Sequence, residues 1–164
     1  MRKTLFSLFL WIIALTGSFA QSYNTLWKQA QQAQEDDLPR TALDIVIRIQ
    51  QKAEREHKTP QLIRAMCTRL MLGDDISSDS VSFDIARIAA YRDAEKKPVE
   101  RALWNAVLAI AMDHFSWVDT SYNRTSELCY QEMLADFNAL SKASTKKYLP
   151  LFVQGKNSKY FNHD

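Results

Sequence analysis

Apolar residues return along this chain at intervals of three and four, the spacing that places side chains on one face of an α-helix. Tyr23, Leu26, Trp27, Ala30 and Ala33 predict a helix over about 23–36. Ala42, Ile45, Val46, Ile49 and Ala53 predict a second over about 39–57, with Arg40, Asp44, Arg48 and Lys52 at i,i+4 on its other side. Ile45-Val46-Ile47 is β-branched, but the length of the segment and its charge ladder favour helix. Ile63, Met66, Cys67 and Leu70 predict a third over about 60–72, with Gly73 as its C-cap.

The stretch "DDISSDS" then reads as a loop. Phe83, Ala86, Ala90 and Ala94 mark the apolar face of a fourth helix ending near 96. A fifth, from Pro98 to about Trp117, carries Val99, Leu103, Ala106 and Ile110 on one face and Leu108, Ala111 and Phe115 on another. Such a helix is buried broadly and belongs at the centre of a domain. Cys129, Met133, Phe137 and Leu140 predict a sixth over about 126–142, and a short apolar segment, Tyr148 to Val153, follows.

Punctuation along the chain agrees with this reading. Pro39, Pro60 and Pro98 stand where helices should begin, and proline suits a first turn because its missing N–H has no partner there anyway. Only three Gly and four Pro occur in 164 residues. Strand-rich domains need turn residues about every 8–12 positions. The fold class predicted is all-α: antiparallel helical hairpins, TPR-like in shape, with about six helices. Pro39 and Pro60 are each followed by Arg nine residues on (Arg48, Arg69) and an aliphatic residue ten on (Ile49, Leu70). This 21-residue echo does not meet the tetratricopeptide period near 34.

The first twenty residues have a different grammar. Arg2 and Lys3 precede an apolar run from Leu5 to Leu15, and Gly17-Ser18-Phe19-Ala20 offers small residues at the −3 and −1 positions of a cleavage site. The run is shorter than the roughly 20 residues that span a bilayer. Residues 1–20 therefore read as a secretory signal peptide, and 21–164 as one exported helical domain. Lys+Arg is 21 against 19 Asp+Glu; without Arg2 and Lys3 the balance is 19 against 19. No basic footprint for nucleic acid remains.

Candidate chemistry is sparse. Cys67 and Cys129 each lie on an apolar stripe, so they are either a disulfide between the third and sixth helices or two buried thiols. His114 beside Asp113 has no serine or cysteine in a nucleophile turn to act on. His57 and His163 form no metal spacing with it. Counted from Asp75, a calcium loop would need Gly at its sixth position and Glu at its twelfth, where Ser80 and Ala86 stand; Asp79 reads as a helix cap. Asn123-Arg124-Thr125 matches the short N-glycosylation triplet. No catalytic, cofactor-binding or metal-ligating residue is expected, and no enzyme.

Five stretches, in order, carry a family resemblance: "SYNTLWKQAQQAQEDDLPRTALDIV", "KTPQLIRA", "AEKKPVERALWNAVLA", "YNRT" and "GKNSKYFNHD". Together they resemble the N-terminal helical region of large bacterial alpha-2-macroglobulin-like proteins. The resemblance implies an envelope protein that traps proteases through a bait region, often with a Cys-Glu-Gln thioester. Cys67 is followed by Thr68-Arg69 and Cys129 by Tyr130-Gln131, so neither is that cysteine. The implied role is a non-catalytic N-terminal module without bait or thioester, with Asp164 as a truncation point. Its partner would be a protein: the downstream domains of a parent chain, or another envelope protein. The competing expectation is a stand-alone periplasmic interaction domain that binds peptides, with exposed Trp27 and Trp104 as anchors.

Overall fold

Serine before a run of good helix formers starts the first helix. Ser22 Oγ accepts from the Thr25 N–H at 3.1 Å, satisfying one of the donors a helix start leaves open. The structure is a computed structural model that describes residues 21–117 and 125–151. The predicted signal peptide, Asn123, His163 and the final aromatics lie outside the described residues, as do Phe152 and Val153 of the last apolar segment.

Among the described residues the chain forms eight α-helices and one 3-10 turn, with no strand. They are α1 (Tyr23–Glu35), α2 (Pro39–Arg55), α3 (Thr59–Ile76), α4 (Ser78–Ala94), α5 (Pro98–His114), α6 (Ser126–Ala135), α7 (Phe137–Ser141), α8 (Thr145–Tyr148) and the turn Leu149–Leu151. The all-helical expectation holds, and Pro39, Pro60 and Pro98 sit in first turns as expected.

Each helix from α1 to α6 packs on the one that follows. Side chains also tie each helix to the next but one. Trp27 on α1 donates Nε1–H to Gln61 on α3 at 2.8 Å, and Gln50 on α2 donates to the Tyr91 hydroxyl on α4 at 3.1 Å. Helix α5 packs on α3 and α7, and Arg92 on α4 pairs with Glu132 on α6. This i,i+2 contact is what stacks helical hairpins into two layers.

Two core clusters result, and α3 serves both. Its Ala65 and Leu72 join Leu26, Trp27, Val46 and Ile49 of α1 and α2. Its Ile63, Met66 and Leu70 join Val81, Ile85, Ile88, Trp104, Leu108 and Cys129 of α4 to α6.

The first two connections are alike. Asp37 and His57 take left-handed backbone, with φ of 55° and 52°. Behind each, the next N–H reaches back to close the helix, Leu38 to Ala33 at 2.8 Å and Lys58 to Ala53 at 2.9 Å. These are Schellman closures made without glycine. They give the 21-residue echo its physical content: the same helix end, then a proline start one residue later in the second case.

Several expectations need correction. Gly73 is no C-cap, because α3 runs on through Asp74 and Asp75 to Ile76, and α4 begins after Ser77 alone. An added Cβ on Gly73 would stand 2.6 Å from Ser80 Oγ, so the glycine serves the close approach of α3 and α4. "DDISSDS" is accordingly almost all helix, and Asp79 lies inside the first turn of α4 rather than capping it.

The apolar face assigned to α4 points outward. Phe83 is 72% exposed, and Ala86, Ala90 and Ala94 are exposed with it. Val81, Ile85, Ile88 and Ala89 fill the core instead. Three large aliphatic side chains bury more apolar surface than one Phe with three Ala, so that face wins. On α5, Leu108, Ala111 and Phe115 are buried, but Ile110 is 57% exposed.

The sixth predicted helix breaks at Asp136, whose carboxylate is held by Arg101 Nε and Nη2 at 3.0 and 2.9 Å. Its backbone leaves helical geometry there, so Phe137 faces water. Finally, Trp27 and Trp104 are core residues, 8% and 1% exposed, and anchor nothing from outside.

Candidate functional site

The chemically unusual feature is a polar spine across α2 to α6. Asp84 stands on the apolar face of α4, between Val81 and Ile88, and is buried. Arg69 on α3 brings Nε to 2.8 Å from its Oδ1 and donates from Nη1 to Gln50 on α2 at 3.1 Å. Gln50 donates in turn to Glu54 and Tyr91, and the Tyr91 hydroxyl donates to Glu54. The Tyr91 ring stacks on Trp104 at 5.1 Å. Beyond it, Arg92 donates from Nε to Asn105 on α5 at 2.8 Å and pairs with Asp93 and Glu132.

Electrostatics in the spine follow from burial. Desolvation pushes the Asp84 carboxyl above its usual range, outweighing the opposite pull of Arg69 and Arg87. Burial likewise raises Tyr91, with its hydrogen bond to Glu54 adding to the effect. The groups engage one another and present no nucleophile beside a base.

A second feature is an open cleft of about 380 Å³ where the α2–α3 turn, the start of α5 and helix α8 meet. Tyr23, His57, Lys58, Lys97, Glu100 and Lys147 contribute to its walls. Glu100 is buried and accepts from Lys147 Nζ at 2.5 Å. Burial alone would raise its pKa, but hydrogen bonds from Lys147, its own N–H and Tyr148 together hold it below the usual carboxylate range. The same hydrogen bond to Glu100, with one to Tyr148, raises Lys147. Among the described residues lining the cleft, Glu100 is the one carboxylate and is neutralised from within, and Lys58 and Lys97 leave those walls cationic.

The sequence-predicted candidates do not converge. His114 is exposed at the end of α5, edge-on to Phe115 at 4.6 Å. Its neighbour Asp113 accepts from the Tyr130 hydroxyl at 3.4 Å instead. His57 lines the cleft from its left-handed turn. Cys67 and Cys129 pack on the same cluster and are thiols in this structure. Burial pushes Cys67 up to about 11, so it stays a thiol at neutral pH. Thr125 caps α6, its Oγ1 accepting from the Leu128 N–H at 3.2 Å. Asp75 and Asp79 are helical, and no group of three metal-ligating side chains occurs among the described residues. No helix among them is long and apolar enough to cross a membrane.

Sequence reasoning missed Asp84, Glu100, Arg92 and Lys147. One signal was present: Asp84 interrupts the stripe Val81, Ile85, Ile88. A charge there demands a buried partner, but nothing local names Arg69.

Comparison with known protein families, with curated proteins and with solved structures finds no match to this chain.

Proposed function

We propose that this chain is a non-catalytic helical docking module, and that it serves an exported protease inhibitor of the alpha-2-macroglobulin-like kind. The observation that carries the docking role is a set of exposed apolar side chains on neighbouring helices. Ile110 on α5, Leu134 on α6 and Phe137 on α7 are all more than half exposed, on helices that pack against one another. Covering such side chains is a usual use of an exposed apolar surface. The inhibitor assignment rests on the five resembling stretches, and the covering protein would be the β-rich trap that follows such a region.

A photo-crosslinker at position 137, with one at Arg48 as a polar control, tests this in the host envelope. The expected product is a position-137 adduct to a β-rich inhibitor polypeptide, encoded just downstream in frame or beyond a frameshift. Equal labelling from both positions, or an unrelated gene following Asp164, would overturn it.

A second reading is favoured by the cationic cleft: a stand-alone domain gripping an acidic segment of an envelope protein beside Lys58 and Lys97. Reversing both lysines to Glu would abolish capture of that partner while leaving position-137 crosslinks intact.

A further inference from the structure

Helix α4 is apolar on two opposite faces, and its own fold uses one. The other, Phe83, Ala86, Ala90 and Ala94, forms an outward stripe along about 16 Å of helix. Phe83 is the most exposed of the large apolar side chains among the described residues. An apolar stripe left exposed on an otherwise packed helix is a usual site of association.

The charges around the stripe state what the second surface must be. Asp79 is exposed in the first turn of α4, just after Asp75 in the last turn of α3, and Lys96 is exposed just beyond its C-terminal end. A helix laid antiparallel on this stripe must therefore be basic where α4 begins and acidic where it ends. Helix α4 itself, turned end for end, has that order. Arg87, at the edge of the stripe, acts on Asp84 and Tyr91 of its own helix.

We infer that α4 is a self-association face on which a second copy of this chain docks, α4 against α4, antiparallel about a two-fold axis near Ile88. The alanines let the axes approach closely, to about 8 Å. Phe83 of each copy covers Ala90 and Ala94 of the other, and Asp79 of each meets Lys96 of the other. The contact is isologous, so every pairing occurs twice. One helix pair is a small interface, so the dimer is weak and concentration-dependent. This inference does not rest on the inhibitor reading, since it uses a different face and another partner.

Sedimentation velocity on the purified chain, as its host processes it, tests this from about 1 to 200 µM. Wild type is expected to pass from monomer to dimer across that range. Phe83→Glu weakens the dimer by at least about 100-fold, with helical circular dichroism and melting temperature unchanged because the side chain is exposed. Asp79→Lys or Lys96→Glu alone weakens it about 5- to 10-fold by creating two like-charge contacts. The double variant Asp79→Lys/Lys96→Glu restores it to within about threefold. A wild-type monomer at 200 µM, a dimer indifferent to Phe83→Glu, or a double variant no better than the singles each overturns the inference.

Discussion

Replacing Gly73 with alanine puts a methyl group between α3 and α4, where the two helices approach through Ser80. The new Cβ meets Ser80 Oγ at 2.6 Å, while Ser80 Cβ and Asp84 Oδ2, both at 3.7 Å, are ordinary neighbours. Only the hydroxyl must move, and in moving it gives up its 2.8 Å hydrogen bond to the Ser77 carbonyl. Losing that bond costs about 0.5–1.5 kcal/mol. Against it, alanine in a helix interior is favoured over glycine by about 0.8–1 kcal/mol. The two effects nearly cancel, so Gly73→Ala alone should lie within about 0.5 kcal/mol of wild type. In a Ser80→Ala background the hydrogen bond is already gone, and the same change should stabilise by about 1 kcal/mol. Urea unfolding followed at 222 nm, across all four members of the cycle, measures both numbers. A left-handed Gly73 capping α3 gives a different result, a loss of about 1 kcal/mol in either background. Two equal losses would therefore refute the continuous α3 and the close approach together.

Three further outcomes follow from named contacts. Lys147→Met strands buried Glu100 and should cost about 1–2 kcal/mol, a discounted value because Lys147 is half exposed; Glu100→Gln should cost less, since Lys147 can return to water. Glu100 sits below its usual range, so its contribution is present at neutral pH and is lost as pH falls through that lowered value. Urea titrations from pH 7 to 3 should show the Glu100→Gln deficit shrinking in acid, and a constant deficit would count against the pairing. His57→Gly relieves a left-handed side-chain residue and should raise stability by about 0.5–1 kcal/mol net of the glycine's unfolded-state entropy, with Asp37→Gly gaining less because Asp tolerates this backbone better. Thermal melts showing a loss at both sites would contradict the helix closures. Arg69→Met leaves Asp84 buried without its ion pair and should cost about 3–5 kcal/mol at pH 7. Asp84 is raised in the fold, so its charge destabilises as pH rises through the elevated value, and the Arg69→Met deficit should shrink in acid, where Asp84 is neutral in both proteins.

What could be read from the chain divides along a physical line. Helix existence was legible because it depends on neighbours in sequence: Pro39, Pro60 and Pro98 exclude helix continuation from behind, and the 3.6-residue repeat shows up within single segments. Helix ends were less so. Gly73 has the same local signature whether it ends a helix or admits a neighbour, and only Ser80 from the next helix decides between them. The polar spine was hidden for the same reason, since Asp84 announces a need that Arg69 meets from another helix. The face of α4 is the instructive failure. Period alone finds Phe83, Ala86, Ala90 and Ala94 as readily as it finds Val81, Ile85 and Ile88, because both stripes are real. Periodicity reports which surfaces avoid water and is silent on which of them the chain covers by itself. When one helix carries two such surfaces and the fold buries the bulkier, the other is left to be covered from outside. The charges at its two ends then carry what period cannot, the direction in which its mate must run.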